Sequence, residues 1–345
     1  MEEISVIGID LAKSVFELCA LRGCGEVAWT KRLKRAGFIK FMDEKAPRCL
    51  IGMEACGGAH HWGRWFLQRG FEVKLMAPKP VRAYRQGVHK NDARDARAIA
   101  EAASRPHVAA VRVKSEQSQM VQALIRIRTR RVRQMVQSAN QLRGVLNEFG
   151  IVLPKGHGRM MMAVARLRAA AVIPEVIAGL VDGLCRELAE QSHAVDEASD
   201  ALLSKVREEE SCTRLMTIPN IGPINAASLS VALEIPSEFA NGRAFAAQLC
   251  LVPRQSKSAE SEKLSGIAKQ SANETRRHLV LAAQSLLTRL KRMKELPDDE
   301  LLRWAHNLLA RKNRNVAAVA VAARLARIAW AVQARSREYS PRLAT

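Results

Sequence analysis

Short apolar runs alternate with helical repeats over the first 108 residues of the chain. Apolar runs at 4–10, 15–21 and 26–30 predict three consecutive strands, because each has strand length and is bounded by glycine or polar residues. After them the pattern becomes an alternation of helices and strands. It predicts helices over 38–45, 59–69 and 92–103, and strands over 49–54 and 72–77. The N-terminal part is therefore expected to be an α/β domain.

Beyond residue 108 the pattern is mainly helical, which predicts two further domains. Apolar residues recur at helical spacing from 115 to 149, and a second helical stretch runs from about 160 to 208. A third region begins near residue 211. We therefore expect an α/β plus all-α protein. Residues 1–108 have the element order of a ribonuclease-H-like domain. Residues 109–208 are expected to form a helical coiled-coil arm that links the domains, and residues 209–345 are expected to form a mainly helical domain.

The chain carries a large excess of positive charge. Its 345 residues include 55 Lys and Arg but only 34 Asp and Glu, a formal net charge of +21. Such an excess favours a polyanionic partner such as nucleic acid, and the alternatives are a merely solubilising basic surface or an anionic membrane. The longest apolar stretch, 316–332, is interrupted by Arg324 and Arg327, so we expect a buried helix there and no membrane span.

Part of this charge is concentrated in the predicted arm. Residues 111–150 contain eight basic residues and two acidic ones, a net charge of +6. A basic helix with an apolar seam can serve as a coiled-coil partner surface, as an arm that follows phosphates, or as both, and it can also be an ordinary solvated face. A cluster of five arginines favours phosphate contacts; it consists of Arg126, Arg128, Arg130, Arg131 and Arg133.

Cysteine usage and the N-terminus bear on the cellular compartment. Seven cysteines are scattered along the chain without a CxxC pair, which argues against structural zinc and against a disulfide framework. Glu2 and Glu3 follow Met1 directly, and this is not the pattern of a signal peptide. Both observations predict a protein of the reducing cytoplasm.

Four acidic residues stand where predicted elements end or begin. Asp10 and Glu54 close two apolar strands, and Asp92 and Asp95 open a predicted helix. A spacing of three places the last two on one helix face. Carboxylates that converge from two strand ends and a helix supply the oxygen ligands that Mg²⁺ prefers, and two such ions can hold the attacking and leaving oxygens of a phosphodiester. The sequence thus predicts a metal-dependent site for phosphodiester chemistry.

Each of these acids also has an ordinary structural interpretation. Asp10 can be a turn residue, Glu54 a strand-end surface acid, and Asp92 a helix N-terminal acid favoured by the helix dipole. Their joint occurrence in this order favours the metal site. His60 and His61 precede an apolar helix and are expected to pack or to cap that helix rather than to bind metal.

A turn between two helical segments is the main feature of the last third of the chain. Residues 218–227 read Ile-Pro-Asn-Ile-Gly-Pro-Ile-Asn-Ala-Ala and resemble the hairpin of a helix-hairpin-helix element. In such an element backbone N–H groups at a helix start bind a DNA phosphate, and Gly222 is the residue of this turn that is expected to contact nucleic acid. Asn220 stands where glycine is usual, and asparagine tolerates the left-handed conformation. Other proline- and glycine-rich turns look similar. Residues 251–258 follow as an apolar run and a polar loop.

Together these segments resemble the DEDD transposases of bacterial insertion sequences of the IS-one-ten type. The likeness is closest in 52–62, Gly-Met-Glu-Ala-Cys-Gly-Gly-Ala-His-His-Trp, and in 90–96, Lys-Asn-Asp-Ala-Arg-Asp-Ala. It continues through 239–254 and 266–269, so it covers nearly the whole chain in the right order. Some members of this family are site-specific invertases.

The resemblance implies a resolvase-like N-terminal domain in which Asp10, Glu54, Asp92 and Asp95 bind Mg²⁺. It also implies a C-terminal transposase domain with a nucleophilic serine, for which Ser258 is the best match. Family members act as oligomers, here a dimer or tetramer, and recombine DNA through covalent phosphoserine intermediates. A structured noncoding RNA from the element pairs with donor and target DNA as a guide.

The loop around Ser258 departs from the family pattern. Where the family has Ser-Ser-Gly-Gly-Lys, this chain has Lys-Ser-Ala-Glu-Ser at 257–261, and a later Lys-Arg-Gly piece is altered to Lys-Gln-Ser-Ala at 269–272. Ser256 and Ser261 are therefore the alternative nucleophiles. Guanidinium contacts to phosphate oxygens are expected from Arg254, Arg276 and Arg277.

Three functions fit these features. The first is a transposase or recombinase that uses both the acids and the serine. The second is a metal-dependent junction nuclease in which the serine is idle, so that cut ends carry no protein. The third is a non-catalytic nucleic-acid-binding protein descended from a transposase, whose salt-sensitive binding survives loss of all four acids. The acids and a candidate serine are all present, which favours the first.

Overall fold

The computed structural model describes residues 3–85, 92–258, 261–268 and 274–341, and within these ranges it does not define the side chains of residue 92 and of residues 255–258 and 261–264. The chain forms two compact units, Met1–Glu116 and Gln117–Thr345. The division into three domains at residues 108 and 208 stays a prediction.

A six-stranded mixed sheet forms the centre of the first unit. Its strands are β1 (Ile4–Asp10), β2 (Val15–Arg22), β3 (Val27–Lys34), β4 (Leu50–Glu54), β5 (Glu72–Met76) and β6 (Ala110–Val111), in the spatial order β3-β2-β1-β4-β5-β6. The first three strands pair antiparallel, β1, β4 and β5 pair parallel, and β6 is antiparallel to β5. The apolar runs of the central strands are long because both faces of the sheet are covered.

Two layers of helices cover this sheet. On one face, α1 (Arg35–Glu44) and α2 (Ala59–Leu67) bury an aromatic cluster in which Phe16 stacks on Phe38 and Trp62 meets both rings edge-on. On the other face, α4 (Asp92–Ser104) packs against Val6 and Leu21 of the sheet. A short helix, α3 (Pro78–Arg82), follows β5.

The second unit is mostly helical. Two long helices, α5 (Glu116–Asn147) and α7 (Glu175–Glu208), flank α6 (His157–Ala169), and a buried apolar cluster around Leu142, Met160 and Val181 holds the three together. The remaining elements are α8 (Glu210–Met216), α9 (Pro223–Ala232), α10 (Gly242–Gln248), the strand pair β7 (Pro253–Ser258) and β8 (Ser261–Ile267), α11 (Glu274–Leu290), α12 (Glu300–Arg311) and α13 (Arg314–Ala334).

The largest core of the molecule surrounds α13. Residues from α8 to α13 meet Val121 and Ile125 of α5 and Leu202 and Val206 of α7 in one buried cluster, so one end of the long helices belongs to this core. Within the described residues α13 is long and apolar enough to cross a membrane, but 50% of its most apolar window is buried inside the fold. It is a core helix by this measure, as the sequence predicted, and no membrane protein is indicated.

The pattern predicted most elements of the first unit to within a few residues of their ends. Strands β1, β2, β4 and β5 and helices α2 and α4 lie where the pattern places them. The structure differs at 253–258, where the sequence predicted a polar loop and the backbone forms strand β7, paired with β8 in a hairpin. Polar residues dominate both strands, so no alternation of apolar and polar positions marked them.

Candidate active site

Two of the four predicted acids lie at the same edge of the sheet. Asp10 is the last residue of β1. Glu54 is the last residue of β4, the strand that pairs parallel with β1. The register pairs Ile9 with Met53, so Asp10 and Glu54 each follow a paired residue. Because the carboxyl ends of parallel strands form one edge of a sheet, the sequence of each strand delivers its acid to the same place.

Close packing of helix against sheet brings a third acid to this region. Asp95 lies in the first turns of α4 and is only 7% exposed. A Cβ atom on Gly8 of β1 would lie within 3.0 Å of the backbone of Ala96 and Ala100, and one on Gly52 of β4 would lie 2.5 Å from the Cβ of Ala103. The absence of side chains at these two glycines therefore allows α4 to approach the strands closely.

The far end of α4 is also fastened to the sheet. Lys74 of β5 donates hydrogen bonds from its Nζ to the carbonyl oxygens of Ala103 and Arg105, at 3.0 and 2.7 Å. These carbonyls lie at the C-terminal end of the helix, where the helix dipole favours a cation. Burial lowers the pKa of Lys74. The contact joins the C-terminal end of α4 to β5.

A single arginine joins two of the acids. The Nη2 atom of Arg85 lies 3.2 Å from Oε2 of Glu54, and its Nε atom lies 3.2 Å from Oδ1 of Asp95. The Glu54 and Asp95 side chains are 17% and 10% exposed, and that of Arg85 is 34% exposed. The two carboxylates thus converge on one cation, as they would on a metal ion.

The acids also influence a neighbouring thiol. Burial raises the pKa of Cys56, and the charges of Asp10 and Glu54 raise it further. The negative charge of both acids therefore reaches the loop that follows β4. Such a field attracts cations to this edge of the sheet.

The donor atoms suit a hard divalent cation, since carboxylate oxygens are the ligands that such ions prefer. Among the described side chains, no set of three or more His, Cys, Asp or Glu lies close enough together to hold a metal ion. Asp92, the first residue of α4, is not among these side chains, because its side chain lies outside the described part. The convergence of Glu54 and Asp95 on a guanidinium is the observation that fits a cation site.

His60, for which the sequence predicted packing or capping, accepts a hydrogen bond from the segment that follows β6. The backbone N–H of Lys114 donates to Nδ1 of His60 at 3.3 Å, and Arg64 donates to the carbonyl oxygen of Lys114 at 2.9 Å. Gly63, between these side chains, lies against Val113. The start of α2 is thus fixed to the segment that follows β6.

The five arginines of α5 fall into two groups. Arg128 is half-buried, its Nε donates to Oγ of Ser199 on α7 at 2.8 Å, and burial lowers its pKa. It therefore joins the two long helices. The other four are exposed, and they are Arg126, Arg130, Arg131 and Arg133.

The turn before α9 has the backbone conformation that its sequence predicted. Asn220 has a φ of 65°, and its Nδ2 donates to the carbonyl oxygen of Ala282 at 2.7 Å. Gly222 is the N-cap residue of α9, and a Cβ built on it meets no atom within 4 Å. The space in front of this helix start is open on that side.

The candidate serine lies at the end of a hairpin strand. Ser258 is the last residue of β7 and pairs through its backbone with Ser261, the first residue of β8. The side chains of Ser256, Ser258 and Ser261 lie outside the described part of the structure. Nearby, Arg254 donates to the carbonyl oxygen of Gly266 at 3.4 Å.

The two arginines of α11 differ in their surroundings. Arg276 donates to the carbonyl oxygen of Ala268 at 2.6 Å and so joins the helix to the end of β8. Arg277, the next residue, is exposed.

Sequence reasoning did not identify Arg85 or the buried polar residues of α9 and α11. Arg85 lies outside every predicted element and has no spacing rule that connects it to the acids. Ser228 donates to Oγ1 of Thr275 at 2.9 Å in the core of the second unit, and His278 is buried one turn further along α11. A polar residue within an apolar repeat is the only sign that such a contact leaves in a sequence.

Two family models and several curated proteins match this chain. Residues 7–151 match a family model for DEDD transposases, and residues 212–297 match the model of the IS116/IS110/IS902 transposase family. The chain is 34% identical to the transposase of insertion sequence element IS1111A from Coxiella burnetii over 98% of this chain and 92% of that protein. It is also 34% identical to the transposase of element IS1328 from Yersinia enterocolitica, over 99% of this chain and 100% of that protein.

Proposed function

Because the chain belongs to the IS116/IS110/IS902 family of transposases, enzymes that cut and rejoin DNA, we propose that it does so with two sets of residues. The first set is the four acids Asp10, Glu54, Asp92 and Asp95, which hold divalent cations, specifically Mg²⁺. The second is a serine nucleophile, Ser258. The convergence of Glu54 and Asp95 on one cationic group is the observation that carries the first part.

The fold supports the placement of the acids. An antiparallel β1–β3 meander followed by parallel β4 and β5 is the order expected of a ribonuclease-H-like domain. Acids at the ends of two adjacent strands and on a helix across them are the arrangement that such a domain needs for phosphodiester chemistry. A bound divalent cation stabilises the negative charge that develops on the phosphate. The chain's own contribution is to fix the carboxylates through Gly8, Gly52 and Lys74.

The serine step balances without an energy source. Attack by Oγ of Ser258 on phosphorus forms a Ser–O–P bond and releases the hydroxyl proton of the serine. One P–O bond to a sugar breaks, and the sugar oxygen takes up one proton, so the step balances. Attack on the phosphoserine by a second sugar hydroxyl reverses the process and restores the serine. The family resemblance supports Ser258, and Ser256 and Ser261 are its neighbours on the same hairpin.

Basic residues outside the acidic site would hold the DNA. The exposed Arg126, Arg130, Arg131 and Arg133 of α5 suit contacts to phosphates, as does the open helix start at Gly222. Arg254 lies in β7, Arg276 and Arg277 lie near the start of α11, and all three would contact phosphate near the serine. Half-buried Arg128 contributes less because Ser199 holds it.

We further propose a noncoding guide RNA, a dimer or tetramer of the chain, and action in the cytoplasm. The first two proposals rest on the family resemblance, and the net charge of +21 suits RNA as well as DNA. The third rests on the scattered cysteines, which suit a reducing compartment.

A covalent protein–DNA adduct is the direct test of this function. The full chain is incubated with DNA that carries the element's ends, the RNA that flanks them, and Mg²⁺, and the products are separated under denaturing conditions. We expect wild type to form an adduct that protease removes. Ser258→Ala and Asp10→Asn should each abolish it, because one lacks the nucleophile and the other a cation ligand.

Matched variants separate the alternatives. Ser256→Ala and Ser261→Ala should keep the adduct; loss in one of them with retention in Ser258→Ala would transfer the nucleophile to that residue. Asp43→Asn removes an exposed acid of α1 that pairs with Arg69, and it should leave the adduct unchanged. Cleavage without an adduct, lost only in Asp10→Asn, would show a metal-dependent nuclease and contradict the serine mechanism.

A further inference from the structure

Arg85 lies between Glu54 and Asp95 and contacts each of them through a different nitrogen atom. Its Nη2 and Nε atoms each lie 3.2 Å from one carboxylate oxygen. Glu54 lies at the end of β4 and Asp95 on α4, so the guanidinium connects the sheet edge to the helix above it. The oxygen atoms that it engages belong to the acids that the proposed function assigns to the metal.

We propose that Arg85 is a displaceable internal cation: it holds Glu54 and Asp95 together when no metal is bound, and a divalent cation must displace it in order to bind. This inference rests on the proposed function, because it takes the metal to be bound by Asp10, Glu54, Asp92 and Asp95. Arg85 is a positioning residue in this account, since it acts through the acids.

The charges make the exchange favourable. One guanidinium carries a single positive charge and faces two carboxylates, so its contacts leave negative charge at the site. A divalent cation balances the acids better than Arg85 does, and carboxylate oxygens bind it directly.

Exposure makes the exchange possible. The Arg85 side chain is 34% exposed, whereas those of Glu54 and Asp95 are 17% and 10% exposed. Partly exposed ion pairs are weak because water competes for the charged groups. The acids are fixed by their strand and helix, while the arginine lies beyond the end of α3. On displacement it is therefore the arginine that moves.

Competition of this kind lowers the apparent affinity for the metal. When Arg85 occupies the site for most of the time, metal can bind only in the fraction of molecules whose site is free. The apparent dissociation constant for the metal is the intrinsic constant divided by that fraction. Removal of the guanidinium should therefore strengthen metal binding, although Arg85 stabilises the metal-free protein. The two effects have opposite signs, and this distinguishes competition from a purely structural role.

Metal binding without DNA tests the inference. The full chain and its Arg85→Gln variant are titrated with Mn²⁺ by calorimetry, and melting temperatures are measured with and without Mn²⁺. We expect Arg85→Gln to bind about threefold to fivefold more tightly, because an exposed ion pair contributes up to about 1 kcal/mol, a factor of about five in affinity. Its metal-free melting temperature should be lower than that of wild type, and the rise on adding Mn²⁺ should be larger.

Two further variants make the result specific. Arg82→Gln removes an exposed positive charge from α3, a short distance along the chain, and should leave Mn²⁺ affinity within about twofold of wild type. Equal tightening in Arg82→Gln and Arg85→Gln would assign the effect to net charge and overturn the proposal. A lower melting temperature in Arg85→Gln with unchanged or weaker Mn²⁺ binding would also overturn it, because it shows a structural ion pair only.

The same titration separates this inference from the proposed function. Asp10→Asn should abolish Mn²⁺ binding in both backgrounds. If Asp10→Asn binds as wild type does, or if wild type and Arg85→Gln both fail to bind, the metal site of the proposed function is wrong. If Asp10→Asn abolishes binding and Arg85→Gln does not strengthen it, the metal site stands and only the role of Arg85 is wrong.

Discussion

His278 is a buried histidine that should make the stability of the second unit depend on pH. It is 9% exposed, and its Nδ1 atom has no hydrogen-bond partner among the described residues. Burial lowers the pKa of His278, and the charges of Arg277 and Arg128 lower it further, whereas the charge of Glu274 acts in the opposite direction. The folded protein therefore keeps this imidazole neutral at pH values where the unfolded chain already binds a proton.

The free energy of unfolding should consequently fall as the pH drops below about 6.5, where an unfolded histidine takes up its proton. The loss continues until the pH passes the lower pKa of the folded state, and one such group contributes at most about 1.4 kcal/mol per pH unit. His278→Gln should reduce this slope. Urea unfolding at several pH values between 7 and 5 measures it.

A matched histidine checks this assignment. His306 is exposed on α12, and His306→Gln should leave the slope of the free energy of unfolding as in wild type. Equal slopes for wild type and His278→Gln would show that another group is responsible for the pH dependence.

At the scale of single residues, the sequence revealed the acids but not their partner. Asp10 and Glu54 could be predicted because each closes an apolar run, and the end of a strand is visible in a sequence. Arg85 could not, because its contacts with Glu54 and Asp95 depend on the path of the chain after β5. Buried His278 has the same limitation, since its burial comes from helices distant in sequence.

Helix α4 depends on two glycines for its approach to the sheet. Gly8→Ala would place a methyl group against the backbone of Ala96 and Ala100, and backbone atoms cannot move aside as a flexible side chain can. We expect a loss of about 1–3 kcal/mol in the free energy of unfolding, the usual cost of overpacking. The shift of Asp95 away from Glu54 should also weaken Mn²⁺ binding, and calorimetry measures that effect.

A glycine in an open position serves as the control. Gly37 lies exposed on α1, and a Cβ there meets no atom within 4 Å. Gly37→Ala should leave Mn²⁺ binding unchanged and raise stability by about 0.5–1 kcal/mol, because alanine is the better helix former. If Gly8→Ala behaved like Gly37→Ala, close packing would not position α4.

The start of α12 is held by one carboxylate with two partners. Oδ1 of Asp299 accepts from the backbone N–H of Leu302 at 3.0 Å, and Oδ2 accepts from the hydroxyl of Tyr339 at 2.9 Å. The residue is 6% exposed. Asp299→Ala removes a helix cap and leaves the tyrosine hydroxyl without its acceptor, so we expect a loss of about 2–4 kcal/mol. Urea unfolding measures the loss.

The neighbouring acid offers a close comparison. Asp298 pairs with Arg303 at 3.0 Å, but its side chain is 91% exposed. Asp298→Ala should therefore cost less than about 1 kcal/mol, as exposed ion pairs do. Tyr339→Phe should lower the free energy of unfolding by part of the amount that Asp299→Ala does. Equal losses in Asp298→Ala and Asp299→Ala would contradict a specific capping role.

Elements with a regular apolar period could be predicted, and the others could not. Strands β1 and β4 have continuous apolar runs because helices cover both faces of the sheet, and α13 shows an apolar helical period because it lies in the largest core. The β7–β8 hairpin carries mostly polar residues, so its sequence looked like a loop. The hairpin forms because the backbones of its two strands pair with each other, and the pattern of apolar and polar side chains does not predict that pairing.

At the scale of the whole molecule, the net charge of +21 was evident from composition, but its arrangement was not. The sequence treated five arginines of α5 as one cluster. The structure separates Arg128, which donates to Ser199, from the exposed Arg126, Arg130 and Arg133. These three follow one another at spacings of four and three, so they share one face of the helix.

This separation predicts which arginines contribute to DNA affinity. The logarithm of the binding constant falls linearly with the logarithm of salt concentration, with a slope of about 0.9 per neutralised phosphate. The triple variant Arg126→Gln, Arg130→Gln and Arg133→Gln should reduce the magnitude of that slope by up to about 2.7 on duplex DNA of unrelated sequence. Fluorescence anisotropy at several salt concentrations measures it.

Arg128→Gln also removes one positive charge from α5. Because Ser199 holds the guanidinium of Arg128, the salt slope of this variant should stay near that of wild type. A salt slope that falls equally for each arginine removed, whether buried or exposed, would mean that binding senses only total charge. A slope that is unchanged in the triple variant would place the DNA on another basic surface. The expected difference between the two variants therefore depends on one feature of the fold, the contact between α5 and α7 that turns Arg128 inward.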